Sequence, residues 1–238
     1  MESDYLKTIV LGTYYVLYMI FMGLRLIKLK VLKVFNKEAA EIYKEKVALK
    51  WSRHTLKVVG MKYQVTGKEN IPSENCLFVA NHQSILDIPL IMDAAERPLG
   101  FVAKKEIRKV PILSSWVKEL NSVFLDRKNN REAVKTIGEA IEILKKGKSM
   151  GIFPEGTRAQ DGMVKDFKKG SLRLAIKSKV PIVPVAISGT YKALEKDKKL
   201  VSTTVKIHFL EPVATKDLNK EEINELQEVL KDRIIRAL

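Results

Sequence analysis

The sequence predicts an α/β protein: a single domain with a mixed, largely parallel sheet flanked by helices, preceded by an N-terminal two-helix membrane-docking motif. Three observations predict it. From Met61 onward, short apolar or β-rich runs alternate with helical segments, as in strands joined by crossover helices. Several of those runs end in polar or charged residues, as strands do where a parallel sheet delivers its functional loops. An uncharged run, Thr8–Leu24, comes before all of this and differs from it in character. The expected division is 1–59 for the helical pair and 60–238 for the α/β domain.

The uncharged run falls short of the roughly 20 apolar residues that span a bilayer. Arg25, Lys28, Lys30 and Lys33 follow it at once, mixed with Leu26, Ile27, Leu29, Val31 and Leu32. That mixture fits an interfacial helix whose apolar side enters lipid while its lysines meet phosphates. Tyr14, Tyr15 and Tyr18 suit the headgroup level. Docking on the cytoplasmic face of the membrane, monotopic or peripheral, is the expectation; a single span is the competing one. A cleaved signal peptide is disfavoured because no small-x-small site follows the run. Asn36 breaks the pattern. Lys37 to about Val59 reads as a second helix, with Ala40, Tyr43, Val47 and Trp51 on one face and Gly60 as its stop.

Expected strands are 62–66, 77–80, 100–103, 123–125, 150–153, 182–187 and 205–209. Expected helices are 88–95, 112–120, 131–146, 170–178 and 220–237. No repeat and no low-complexity linker interrupts them.

Composition narrows the function. The chain has 238 residues, 46% of them hydrophobic, enough for one sizeable core and an appendage. A net charge of +15 implies an anionic partner: nucleic acid, an acidic membrane surface or phosphorylated substrates. With only Cys76, an internal disulfide and a cysteine zinc site are excluded. His54, His82 and His208 are far apart and do not suggest a metal site. The positive charge is spread along the chain and no nucleic-acid-binding motif stands out, so nucleic acid is not an expected partner.

Candidate chemistry gathers at strand ends. His82 and Asp87 follow the run Leu77–Ala80, five positions apart. Imidazole suits proton transfer near neutral pH, and a carboxylate on its other nitrogen fixes the tautomer. Asp87 also reads as the N-cap of the next helix, with Ser84 opening a capping-box pattern and Pro89 in the first turn; the two roles are compatible. Ser84 lacks the Gly-x-Ser-x-Gly elbow of a nucleophile. Phe153-Pro154-Glu155-Gly156-Thr157-Arg158 is a turn whose arginine offers a fork for phosphate, or a plain surface turn. Phe124-Leu125-Asp126-Arg127 and Ala103-Lys104-Lys105 add cations at two more strand ends, or solvated surface charges. Val180-Pro181-Ile182-Val183-Pro184 is apolar enough for a central strand, yet Pro184 removes a ladder donor. It suggests an edge, a strand start or a pocket wall, or simply core. Together, one base and several cations suit transfer to a hydroxyl on a phosphate-bearing substrate.

At this point the chain resembles the glycerolipid acyltransferases, and in size and layout the bacterial 1-acyl-sn-glycerol-3-phosphate acyltransferases. His82 and Asp87 fit the family's H-x-x-x-x-D block, Phe124–Arg127 its second, Phe153–Arg158 its third and Val180–Pro184 its fourth, in order, within about Gly60–Gly189. The second block often opens with glycine, where this chain has Asn121 or Ser122. The resemblance implies that His82 is a general base and Asp87 its orienting partner. It implies that Lys104, Arg127 and Arg158 bind the acceptor's phosphate, and that Glu155, Gly156 and Thr157 shape the acceptor site. Val180, Pro181, Ile182, Val183 and Pro184 are implied near an acyl channel. The implied reaction transfers a fatty acyl group from acyl-CoA or acyl-acyl carrier protein to lysophosphatidic acid, with no cofactor and no metal. Anionic membrane lipids are the further implied partners.

Overall fold

The structure, a computed structural model, describes residues 2–168, 170–196 and 201–238. Over residues 2–8 it describes the backbone only, so the side chain of Thr8 lies outside the described residues.

Apolar residues on both faces of a strand require cover on both sides, and the central strands have it. β1 (Lys62–Thr66), β2 (Leu77–Ala80), β3 (Gly100–Lys104), β4 (Val123–Leu125), β5 (Met150–Ile152), β6 (Ile182–Ser188) and β7 (Thr204–Phe209) form one sheet. Its order is β1-β7-β6-β2-β5-β3-β4. β6, β2, β5, β3 and β4 are parallel neighbours, β7 runs antiparallel to β6, and β1 runs parallel to β7. The sheet is therefore mixed and largely parallel, as expected. Alternation along β2 divides the core. Phe78 and Ala80 pack with residues of α2 (Lys37–Val58) and α3 (Asp87–Ala94). Leu77 and Val79 pack with residues of α5 (Asn130–Lys145), α6 (Arg173–Ser178) and α7 (Lys220–Arg236).

The strand bounds follow the sequence pattern to within a residue. α6 starts later than expected, at Arg173 rather than Gly170, because Gly170 takes a φ of +83° that no helix residue adopts. Pro184 decides between the readings open to its stretch. It sits inside β6, an interior strand, and not at an edge. Its carbonyl accepts from Leu210 N at 2.9 Å, which aims its nitrogen at the same side. The residue opposite is Leu210, just past the end of β7 at Phe209, so the donor that proline lacks is missed only where that ladder stops.

α1 (Glu2–Phe35) and α2 form a hairpin. Asn36 breaks the first helix and caps the second, accepting from Ala39 N at 2.9 Å. Gly60, at φ +69°, closes α2: its N–H reaches Lys57 O, and Met61 N–H reaches Leu56 O, the paired bonds of a Schellman stop. α1 buries Met22, Leu26 and Leu29 with Ala40 and Val47 of α2 and Trp116 of α4 (Pro111–Glu119). Trp116 Nε1 donates to Met22 O, Tyr15 bonds Thr55 and Trp51, Tyr14 bonds His54, and Lys33 pairs with Glu119.

Parallel strands deliver their loops at one edge. The segments after β2, β3, β4, β5 and β6 therefore meet there, and each carries a residue of the candidate site. One device fixes the edge. β6 runs beyond the end of β2, leaving Ile187 without a strand partner on that side. The Asn81 side chain takes the strand's place, donating to Ile187 O at 2.9 Å and accepting from Ile187 N at 2.8 Å. Both residues are buried. Asn81→Leu leaves a donor and an acceptor without partners, and its expected cost is roughly 2–4 kcal/mol, measured by urea denaturation of the purified protein.

Candidate active site

The loop between β2 and α3 is built around one carboxylate. Asp87 is fully buried, and burial of a charge demands hydrogen-bond donors. Its Oδ2 accepts from His82 Nδ1 at 2.8 Å, Gln83 N at 2.7 Å and Ser84 N at 2.8 Å. Its Oδ1 accepts from Thr190 Oγ1 at 2.5 Å. A carboxylate only accepts, so Nδ1 of His82 carries a proton, and in the neutral imidazole Nε2 is then the atom with the lone pair. Among the described residues Nε2 has no hydrogen-bond partner.

This geometry corrects the capping expectation. The position before α3 is Leu86, and no side chain caps the helix. Asp87 is the first helical residue, and its carboxylate turns back onto the loop before it. Ser84 is no cap and no free nucleophile. It is fully buried; its hydroxyl accepts from Leu86 N at 3.1 Å and donates to Glu195 Oε2 at 3.2 Å.

The loop after β5 braces His82 from below. The Phe153 ring stacks on the imidazole, with centroids 3.9 Å apart and planes 15° apart. Phe101 lies parallel to Phe153 at 5.9 Å. Gly151 supplies the space, because a Cβ there would run into the Phe101 ring. Glu155 is nearly fully buried and accepts from His82 N at 2.7 Å and Lys165 N at 3.0 Å. Burial raises its pKa, and those two backbone donors partly offset the rise. Glu155 thus holds the loop, through backbone. Gly156, at φ +73°, is also packed tightly: a Cβ would stand 2.8 Å from Arg127 Nη1. Thr157 is exposed.

The expected cations reach the same edge from different strands. Lys104 ends β3 and is exposed. Arg127 follows β4 and donates to Gly156 O, and burial lowers the pKa of its guanidinium. Arg158 donates to Glu195 Oε1 at 2.7 Å. Asp126 pairs with Lys105, at 2.7 Å, and not with Arg127. Asn121, where the second block often has glycine, takes a φ of +57°, a conformation asparagine tolerates best among non-glycine residues. Val180, Pro181 and Ile182 are not brought to this edge. They lie at the start of β6, the other end of the sheet, and Val180 and Ile182 pack in the core beside α7. Val183 packs on the α3 side, and Pro184 is buried in mid-strand.

Sequence reasoning missed Gln83, Thr190 and Glu195. Gln83 accepts from Gly189 N at 2.9 Å and, with Asn81, ties the loop to the end of β6. Gln83 stands among the polar neighbours Asn81, His82 and Ser84, which sets it apart from none of them. Thr190 and Glu195 lie in a short turn-rich segment far along the chain and carry no mark either.

An imidazole held by a buried carboxylate thus stands at the same sheet edge as Lys104, Arg127 and Arg158. A family model described as Acyltransferase matches residues 62–188, and the chain belongs to that family. A 1-acyl-sn-glycerol-3-phosphate acyltransferase of Saccharomyces cerevisiae is 33% identical over 190 residues, 78% of this chain. The chain spans only 63% of that relative's length. One from Borreliella burgdorferi is 31% identical, over 77% of this chain and 74% of its own. The crystal structure of the 1-acyl-sn-glycerophosphate (LPA) acyltransferase PlsC from Thermotoga maritima superposes with a TM-score of 0.87 at 35% identity. It covers 99% of this chain and 94% of that one.

Thr190→Val removes one donor from the buried Asp87 carboxylate without changing side-chain volume. The expected loss is about 1.5–3 kcal/mol, as for a hydrogen bond to a charged group, read from the shift in urea midpoint.

Proposed function

We propose that this protein transfers a fatty acyl group from an acyl thioester, acyl-CoA or acyl-acyl carrier protein, to the sn-2 hydroxyl of lysophosphatidic acid, giving phosphatidic acid. The observation that carries the reading is the His82–Asp87 pair, with Nδ1 occupied and Nε2 open. Relatives named as 1-acyl-sn-glycerol-3-phosphate acyltransferases support the choice of acceptor.

His82 Nε2 takes the hydroxyl proton as the oxygen attacks the thioester carbonyl. The C–S bond then breaks, and the thiolate leaves with the proton returned by the imidazolium. Asp87 keeps the imidazole in the right tautomer and stabilises its charged form. Attack is direct, without an acyl-enzyme, and the burial of Ser84 agrees with that. Lys104, Arg127 and Arg158 hold the acceptor's phosphate. Glu155, Gly156 and Thr157 shape the acceptor site: Glu155 through its backbone bonds, Gly156 by letting the guanidinium of Arg127 approach.

The acceptor is delivered by the membrane on which α1 docks. Val16, Leu17, Ile20, Leu24, Ile27, Val31, Val34 and Phe35 are exposed along one stripe of that helix, Phe35 to 83%. Its apolar segment Ile9–Phe35 is long enough to cross a bilayer. Docking is the better reading, because contacts from Tyr14 to Lys33 bind α1 to α2 and α4. A crossing would draw the charged α2 into hydrocarbon or break those contacts. Lysines beside the stripe favour the anionic cytoplasmic leaflet.

His82→Ala is expected to lower kcat by about 10²–10⁴-fold, the usual contribution of a general base, in a thiol-release assay with lysophosphatidic acid and a panel of donors. Wild-type rates in that variant would overturn the mechanism. Asp87→Asn keeps acceptors and donors for its neighbours, so it should fold and yet lose about 10²-fold or more in kcat. Arg127→Ala should raise the KM for lysophosphatidic acid about tenfold, as loss of a charge-assisted bond does; an unchanged KM would remove Arg127 from the phosphate site.

A further inference from the structure

We propose that Glu195 is a positioning residue that holds Arg158 ready for the acceptor's phosphate and fixes it relative to the His82 loop. The inference rests on the reading of Arg158 as a phosphate ligand given above, and Glu195 lies outside all four sequence blocks. It follows the short 3-10 turn Thr190–Ala193. Its side chain is 3% exposed, although that of its partner Arg158 is 41% exposed.

A carboxylate this buried must be anchored, and it is anchored to the catalytic loop. Oε1 accepts from Ile85 N at 2.9 Å as well as from Arg158 Nη1 at 2.7 Å. Oε2 accepts from Ser84 Oγ at 3.2 Å. The N–H of that same Ser84 bonds Asp87, the partner of His82. A free arginine at the surface samples many rotamers, and binding an anion would have to order it. Here one arm is already tied. Nε and Nη2 have no partner among the described residues, so a planar pair of donors is left for a phosphate. The phosphate anchor is therefore tied through Glu195 to the loop that carries the base, and holding the phosphate sets the distance from the acceptor hydroxyl to Nε2.

Neutralisation makes the opposite forecast. If Glu195 mainly cancelled the charge of Arg158, removing it would strengthen phosphate binding. Glu195→Gln separates the two, because the amide oxygen can still accept from Ile85 N while the ion pair is lost.

The experiment is a double-variant cycle on the full-length protein, with KM for lysophosphatidic acid and kcat from thiol release, and melting temperature alongside. Glu195→Gln is expected to raise the KM about tenfold, the lower range for a hydrogen bond to a charged group, with a smaller fall in kcat. Arg158→Ala is expected to raise it at least as much, and the double variant no further than Arg158→Ala alone. Glu195→Asp, which keeps the charge but shortens the reach, should raise the same KM and gives the readout if Glu195→Gln does not fold. Multiplying effects in the double variant, an unchanged or lowered KM in Glu195→Gln, or a fall in kcat and melting temperature without a change in KM would each overturn the positioning role. An unchanged KM in Arg158→Ala would instead overturn the phosphate reading of Arg158, and this inference with it.

Discussion

The buried carboxylate of Asp87 is the constraint on which the site depends. A charge without solvent must be met by donors, and here they come from three places: the His82 ring, two successive backbone N–H groups and the hydroxyl of Thr190 beyond β6. Meeting that demand folds the loop back on itself and aims the imidazole. It also binds the end of β2 to the end of β6. The helix that follows begins without a side-chain cap, because its natural cap is committed to the loop instead.

Two more carboxylates hold the same loop from other sides. Glu155 takes the backbone N–H of His82, and Glu195 takes that of Ile85. Three acidic groups are thus gathered inside a chain of net charge +15. The acids are inside, neutralised by backbone donors and by one arginine arm, while Lys104 and the guanidinium groups stand at the rim. Low dielectric around the acids strengthens their bonds, and the positive charge is left at the rim.

The N-terminal hairpin divides its bonds in the same way. Tyr15, Trp51, Thr55 and Trp116 spend their polar groups on the inner face of α1, and Tyr14 and His54 satisfy each other at its margin. Only Tyr14, among the tyrosines expected at headgroup level, is exposed; Tyr15 and Tyr18 are half-buried against α2. What α1 turns outward is consequently an apolar stripe flanked by cations, a surface that water does not favour.

The sequence by itself determined the alternation of strands and helices, because periods of two and of 3.6 in apolar residues are local properties. It also determined the His82–Asp87 spacing, the cations at strand ends and the Asn36 break. Tertiary structure decided what those residues do. Strand order brings the end of β3 with Lys104 and the loops that carry Arg127 and Arg158 to the same sheet edge as His82. Asp87 has a legitimate cap reading in sequence, and only Gln83, Ser84 and Thr190 closing on it decide against that role. Pro184 looks like an edge residue until the end of β7 at Phe209 is seen beside it. Thr190 and Glu195 were not legible at all, since a buried acceptor's partners are chosen by three-dimensional proximity, and no periodicity or spacing rule encodes a bond across more than a hundred residues.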